Sequence, residues 1–177
     1  MPRARPQRVR GGTAIGYSTL HLAEALSAGR VTTLEIDPDR ARQAREFWSR
    51  AGVAERIELI EGDARETIPI LSGPFDLLFV DAAKGQYREY IDLAEPLLTE
   101  RAALVIDNLL VGGEVALPER ADRARSDESI DSARALNPQL LDSQRLAGIG
   151  AADRGRSRLR RAALAAFRSL RPQPGRP

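Results

Sequence analysis

The stretch FDLLFVDAAK, from Phe75 to Lys84, constrains the fold more than any other part of this chain. Five of the six residues from Phe75 to Val80 are apolar, which is typical of a strand buried on both faces of a parallel sheet. The run ends abruptly at Asp81. Because open α/β sheets bind ligands at the carboxyl ends of their strands, we expect Asp81 at the edge of a binding cleft.

A second apolar strand, LVIDN from Leu104 to Asn108, also ends in oxygen-bearing side chains. If the two strands are neighbours in the sheet, Asp81, Asp107 and Asn108 converge on one place. Two carboxylates and an amide are hard oxygen donors, which suit Mg²⁺ or a similar divalent cation at roughly 2.0 to 2.1 Å. The alternative is that these acids are ordinary solvated residues at strand ends.

Strand and helix patterns alternate from residue 11 to residue 141. A glycine loop opens the first helix, with Ser18 or Thr19 expected near its cap, and Asp37-Pro38 is expected to start the second helix. Such alternation predicts an α/β fold, with a Rossmann-like, doubly wound and mostly parallel sheet covered by helices on both faces.

Composition narrows the class of protein. The 177 residues are enough for one domain, 42% of them are hydrophobic, and no apolar run approaches the roughly 18 residues of a membrane span. The chain has no cysteine and no apolar segment of a secretory signal, so a cytoplasmic protein is expected. The single histidine, His21, argues against histidine-based metal or triad chemistry.

Charge divides the chain into three parts. Residues 1–10 carry four arginines and no acid, and we predict a basic disordered leader there. Residues 11–148 are acidic overall and are predicted to be the folded domain, while residues 149–177 form a tail rich in Arg, Ala and Pro that holds at most one helix. That helix is either a basic amphipathic surface for a membrane or acidic partner, or a weakly structured solvated segment. An acidic body is not typical of nucleic-acid-binding domains, so no nucleic-acid partner is expected.

Glycines and acids after the early strands indicate a second ligand beside the metal. Gly12 and Gly16 allow a close approach of a ligand to the backbone, although any strand-to-helix turn favours glycine. Glu35 ends the next strand, where an acid commonly accepts hydrogen bonds from a ribose diol, or is simply solvated. Asp63 borders the adenine side of the same cleft, or only caps the helix that begins at Ala64.

The segments GTAIGYSTL, VTTLEIDP, IELIEGDA, FDLLFVDAAKGQY and LVIDNLL occur in an order and spacing that resemble a known family. They are similar to the class I S-adenosylmethionine-dependent O-methyltransferases of the caffeoyl-CoA and catechol type, bacterial branch. The resemblance extends from about Gly12 to about Gly148, and DAAK together with DN is its most specific part. It implies methyl transfer from S-adenosylmethionine to a hydroxyl of a catechol-like phenolic substrate, assisted by Mg²⁺ or a similar divalent cation.

The resemblance also implies a role for each matching residue. The residues that would contact the cofactor are Gly12, Gly16, Tyr17, Ser18, Glu35, Asp63, Ala64 and Asp81. Asp81 would also ligate the divalent cation, together with Asp107 and Asn108. Lys84, the single lysine of the chain, would be the general base that receives the hydroxyl proton.

Both ends of the chain depart from the family pattern. The segment Gln7 to Gly11 offers a single apolar side chain, so the first strand is expected to be degraded or absent. The arginine-rich tail stands where the family has two final strands, so we expect a sheet that is incomplete at its first and last strands. Because the helices that usually precede the first strand are expected to be missing, a homodimer is in doubt.

Two other functions remain open at this stage. The chain is alternatively an inactive remnant, or a non-catalytic nucleoside-binding module of the same fold. A further alternative is an NAD-linked oxidoreductase, which would share the glycine loop and Glu35 but has no use for the DAAK and DN residues.

Overall fold

The computed structural model describes residues 7–109, 111–116, 127–141, 146–149 and 162–167. In these residues a seven-stranded sheet has the order β3-β2-β1-β4-β5-β7-β6, and its first five strands are parallel. The two final strands, β6 and β7, pair antiparallel at one edge. The strands are β1 Gln7–Gly11, β2 Arg30–Glu35, β3 Ile57–Glu61, β4 Phe75–Val80, β5 Leu98–Asp107, β6 Leu146–Ile149 and β7 Ala162–Phe167.

Five α-helices accompany the described strands: α1 Tyr17–Glu24, α2 Pro38–Arg50, α3 Ala64–Thr67, α4 Tyr87–Ala94 and α5 Asp127–Leu141. The start of α2 is as predicted, because the Asp37 carboxylate accepts hydrogen bonds from two backbone N–H groups of the first turn. At the start of α1, the N-cap itself is Gly16, two residues before Ser18, and its φ of 84° lies in the left-handed region that favours glycine.

Two hydrophobic clusters lie on opposite faces of the sheet, because alternate residues of a strand point to opposite sides. On one face, Leu34, Leu78 and Leu104 belong to the larger cluster, which also includes apolar residues of α4 and α5. On the other face, Val31 packs in a smaller cluster around Trp48, which also takes in residues of α1 and α2. The predicted doubly wound sheet with helices on both faces is therefore confirmed.

The prediction of a degraded or absent first strand is wrong. Residues Gln7–Gly11 form β1 and pair in parallel with β2 on one side and β4 on the other. Backbone pairing needs no particular side chain, and Val9 supplies an apolar contact that is 1% exposed. The Arg8 guanidinium reaches the Leu22 carbonyl oxygen near the C-terminus of α1 at 3.3 Å, where the helix dipole favours a positive charge. The predicted leader of residues 1–10 therefore loses residues 7–10 to the sheet.

The prediction that the last strands are missing is also wrong for this structure. The backbone of β7, within the arginine-rich tail, pairs with β5 from Ala103↔Ala166 to Asp107↔Ala162, and β6 pairs with β7. The segment predicted as a possible helix therefore contains a strand. Helical spacing of apolar residues was outweighed by a sheet edge that offered unpaired backbone groups. The predicted domain end at residue 148 falls inside β6.

Within the described residues, no helix is both long enough and apolar enough to cross a membrane.

Candidate functional site

A cavity of about 560 Å³ opens at the carboxyl ends of β1, β2 and β4, where the sequence analysis expected a cleft. Its volume falls within the range of about 300 to 1,000 Å³ that small-molecule sites occupy. Five of the eight predicted cofactor residues line it: Gly12, Glu35, Asp63, Ala64 and Asp81. The structure thus brings together residues that are up to 69 positions apart in the sequence.

The glycine loop between β1 and α1 is held by packing as well as by hydrogen bonds. A Cβ at Gly12 would lie 1.9 Å from the Asp81 carbonyl oxygen, and a Cβ at Gly16 would lie 2.6 Å from Trp48 Nε1. The Trp48 indole N–H donates to the Gly16 carbonyl oxygen at 2.9 Å. Both glycines are therefore required for close packing inside the protein, whatever ligand the loop contacts.

Glu35 is 5% exposed, so the interpretation of this residue as a solvated acid at a strand end is wrong. Its Oε2 atom accepts the Ala14 N–H at 2.6 Å, and its Oε1 atom accepts the Asp37 N–H at 3.1 Å. These two backbone donors orient the carboxylate at the wall of the cavity and tie it to the glycine loop.

Asp63 caps α3 and also lines the cavity, so capping does not exclude a place in the cleft, and its role toward adenine stays a prediction. Its carboxylate accepts the Arg65 backbone N–H at 2.9 Å and is gripped by the Arg65 guanidinium at 2.5 to 3.1 Å. The side-chain hydrogen bonds from Arg65 are the largest cause that lowers the pKa of Asp63 to about 2. Arg65 also lines the cavity and was not singled out from the sequence.

Three predicted cofactor residues do not line this cavity. Tyr17 and Ser18 lie on α1, and Gly16 is its N-cap. Tyr17 is 69% exposed and packs edge-on against the His21 ring, with 4.6 Å between the ring centroids. Ser18 is half-buried on the same turn, and Gly16 is buried against Trp48. The roles of Gly16, Tyr17 and Ser18 toward a cofactor stay predictions.

The predicted metal residues lie at the ends of two neighbouring strands. Val80 pairs with Ile106 in the β4–β5 ladder, so Asp81 and Asp107 follow adjacent positions of the sheet. The Asp81 N–H donates to the Gly11 carbonyl oxygen at 3.2 Å, which joins the end of β4 to the end of β1. Burial, and then the charges of Asp81 and Asp107, raise the pKa of Tyr87, whose hydroxyl donates to the main-chain oxygen of Asp107 at 3.4 Å.

Asn108 adopts a φ of 56° and turns back toward Asp107. Its backbone N–H and its Nδ2 atom each donate to an oxygen of the Asp107 carboxylate at 2.9 Å. Among the described residues, no three His, Cys, Asp or Glu side chains form a group that could hold a metal ion. The predicted set contains two carboxylates and an amide, so it relies on Asn108 as its third donor.

Lys84 lies in a single 3₁₀ turn, Lys84–Gln86, that leads directly into α4. Its ammonium lies 5.5 Å from the centroid of the Tyr87 ring, a cation–π distance. The sequence analysis assigned no role to Tyr87. The signal that could have singled it out is its place in DAAKGQY, three residues after the lysine.

Comparisons with known proteins agree with this geometry. A family model described as O-methyltransferase matches residues 6–148. The catechol O-methyltransferase of Mycobacterium tuberculosis is 45% identical over 106 residues, and that of Niastella koreensis is 36% identical over 134 residues. These alignments cover 59% and 73% of this chain but 48% and 58% of the relatives, so the chain spans about half the length of the curated relatives it matches.

Solved structures agree as well. The O-methyltransferase TomG from Streptomyces achromogenes, crystallised in complex with SAM, superimposes with a TM-score of 0.81 at 30% identity. That superposition covers 94% of this chain and 74% of TomG. The family match also includes β1, the strand that the sequence analysis did not expect. The chain therefore belongs to the O-methyltransferase family, among the class I S-adenosylmethionine-dependent proteins that its motifs resemble.

Proposed function

We propose that this chain transfers the methyl group of S-adenosylmethionine to a hydroxyl of a catechol-like phenol, with help from a divalent cation. One observation carries the proposal: Asp81 and Asp107 follow paired positions of the neighbouring strands β4 and β5, and Lys84 lies beside them over the Tyr87 ring. Asp81 also lines the cavity that Glu35 borders, so the proposed metal site would adjoin the proposed nucleoside site.

The cavity fits S-adenosylmethionine in size and in chemistry. Glu35 presents a carboxylate that is already oriented by two backbone N–H groups, which suits the two hydroxyls of a ribose. Asp63 and Ala64 line the neighbouring wall, where they would flank the adenine. The SAM complex of TomG, a structurally similar protein, supports this choice of methyl donor.

The donor set fits a hard divalent cation such as Mg²⁺. Asp81, Asp107 and Asn108 would hold it with oxygen atoms, which is the ligand type that this cation prefers. When bound, such a cation lowers the pKa of a phenolic hydroxyl and orients two vicinal oxygens. A catechol has two such oxygens, whereas a simple phenol has one, and this difference is the basis for the proposed substrate class.

Lys84 would complete the chemistry as the proton acceptor. As the hydroxyl oxygen forms its bond to the methyl carbon, the bond from that carbon to sulfur breaks and S-adenosylhomocysteine leaves. The hydroxyl proton passes to Nζ of Lys84 when that amine is neutral. A positioned base of this kind typically contributes about 10² to 10⁴ in rate.

The test is transfer of an isotopically labelled methyl group from S-adenosylmethionine to catechol by the purified chain. We expect transfer with Mg²⁺, loss of transfer with excess EDTA, and recovery when Mg²⁺ is restored. Resorcinol, whose hydroxyls are not vicinal, should be a poor acceptor. Asp107→Asn should reduce the rate at least about 100-fold, since it weakens one ligand of an essential cation.

Two controls make the outcome specific. Asp92→Asn changes an exposed acid of α4 that pairs with Arg88, and it should leave the rate unchanged. Calorimetric titration with S-adenosylhomocysteine should give the same affinity for wild type and for Asp107→Asn, because Asp107 does not line the cavity. Methyl transfer that persists in EDTA would remove the metal from the proposal. Binding of the nucleoside without any turnover would favour the non-catalytic alternative.

A further inference from the structure

Tyr87 lies beside the main chain of Asp107, one of the proposed metal ligands. Its hydroxyl lies 3.4 Å from the main-chain oxygen of Asp107, to which it donates. Val80 pairs with Ile106, so Asp81 follows the strand position next to the one that Asp107 follows. One buried hydroxyl thus holds the end of β5 at the place where the two acids are expected to act.

The ring of the same tyrosine faces Lys84. The lysine ammonium lies 5.5 Å from the ring centroid, within the distance at which an aromatic face attracts a cation. Because Lys84 and Tyr87 are separated by a single 3₁₀ turn, the backbone geometry of this turn sets the position of the amine relative to the ring.

The packing around Tyr87 does not by itself account for its hydroxyl. The side chain is 3% exposed and belongs to the larger hydrophobic cluster, where phenylalanine would fill almost the same volume. A buried hydroxyl costs free energy unless it is hydrogen-bonded, and this one donates to the main-chain oxygen of Asp107.

We propose that Tyr87 is a positioning residue, whose hydroxyl holds the main chain at Asp107 and whose ring sets the place of Lys84. This inference rests on the proposed function, because it assigns Tyr87 to the site at which the metal and the base would act.

Two substitutions separate the two parts of the role. Tyr87→Phe keeps the ring and removes the hydroxyl, whereas Tyr87→Leu removes both. Tyr90→Phe is the matched control for metal affinity, because Tyr90 lies one turn further along α4 and its hydroxyl bonds Gln86 instead of Asp107. Urea midpoints measured for each variant show that the compared proteins are folded.

The first measurement is the affinity of the full chain for Mn²⁺ without any other ligand. Electron paramagnetic resonance of the Mn²⁺ monitors this binding. Loss of a group that supports metal ligands typically weakens binding about 10- to 100-fold. We expect about tenfold weaker binding for Tyr87→Phe, the low end of that range, because the hydroxyl contacts the main chain of Asp107 and not its carboxylate. Tyr90→Phe should bind Mn²⁺ as the wild type does.

The second measurement uses the fact that Lys84 is the only lysine in the chain. Reductive methylation with ¹³C-formaldehyde labels this amine and the amino terminus, so one NMR resonance reports on Lys84. In the wild type without metal, the Tyr87 ring should displace this resonance upfield. The displacement should persist in Tyr87→Phe and disappear in Tyr87→Leu.

The outcomes separate this inference from the proposed function. If the wild type binds no Mn²⁺ and transfers no methyl group, the proposed function fails and the metal part of the inference fails with it. If the wild type binds Mn²⁺ and folded Tyr87→Phe binds it equally well, the proposed function stands and the role of the hydroxyl at Asp107 is refuted. A wild-type Lys84 resonance without an upfield displacement refutes the role of the ring.

Discussion

Gly12 lies where the glycine loop meets the end of β4, and its replacement by alanine tests whether packing or conformation makes glycine necessary there. Its φ is 87°, and an added Cβ would lie 1.9 Å from the Asp81 carbonyl oxygen and 2.7 Å from the carbonyl carbon. Both atoms are backbone, so no side-chain rotation can relieve the contact. Gly52 has a similar φ of 71° but nothing within 4 Å of the added Cβ, which makes it a matched control.

Both variants have the same conformational cost, and Gly12→Ala also has a steric cost. A left-handed conformation costs a residue other than glycine about 1 to 2 kcal/mol, which applies to both Gly12→Ala and Gly52→Ala. Alanine also reduces the conformational freedom of the unfolded chain. This effect offsets about 0.4 to 1 kcal/mol of the conformational cost in both variants. The clash with Asp81 applies to Gly12→Ala alone, and overpacking of this kind typically costs about 1 to 3 kcal/mol. Gly12→Ala should therefore be less stable than Gly52→Ala by about 1 to 3 kcal/mol.

Urea unfolding followed by the fluorescence of Trp48, the single tryptophan, measures this difference. Trp48 is 2% exposed, so its emission should shift on unfolding. With a slope of about 1 to 3 kcal/mol per molar urea, a difference of 2 kcal/mol separates the midpoints by about 1 M. If the two variants unfold within about 0.5 kcal/mol of each other at equal slopes, the close contact of Gly12 with Asp81 does not exist in solution.

Two further predictions concern charges. Hydrogen bonds from Arg65 lower the pKa of Asp63 from 3.8 to about 2. Asp63→Asn should therefore be less stable than the wild type near neutral pH. This deficit should vanish as the pH falls from about 4 to about 2 and the wild-type carboxylate becomes protonated. A deficit in the urea midpoint that stays constant over that range would contradict the ion pair, and salt should reduce the deficit because Arg65 is exposed. Arg8→Met should lower the free energy of unfolding by about 0.3 to 1 kcal/mol, since it removes the charge at the C-terminus of α1. The same change at exposed Arg30, the first residue of β2, is the control, and equal urea midpoints for the two variants would argue against the contact of Arg8 with α1.

The sequence predicted most of the parallel sheet because its signals there are local. The apolar run that became β4 and the Asp37-Pro38 start of α2 each depend on residues that adjoin in the chain. Strand β1 lacked such a signal. Its arginines suggested a solvated leader, and it is a strand because β2 and β4 offer backbone partners on both sides. The same reason explains β7, whose apolar spacing favoured a helix until the edge of β5 was available.

The candidate site shows the same division. The placement of Asp81, Asp107 and Asn108 after neighbouring strands could be predicted from residue types at the ends of apolar runs, whereas the proposed role of Lys84 came from the family resemblance. The contributions of Arg65 and Tyr87 could not, because each depends on what the folded chain places beside it.

By itself, the sequence determined the fold class, the family and the residue types that would carry the reaction, since motif order and apolar periodicity are properties of the chain. Tertiary structure alone decided that Gly12 must be a glycine to pass Asp81, and that the Tyr87 hydroxyl bonds the end of β5 while its ring lies beside Lys84. These are contacts between segments that are distant in sequence or separated by a turn. Their distances follow from how the strands pair, and no local pattern of residues encodes them.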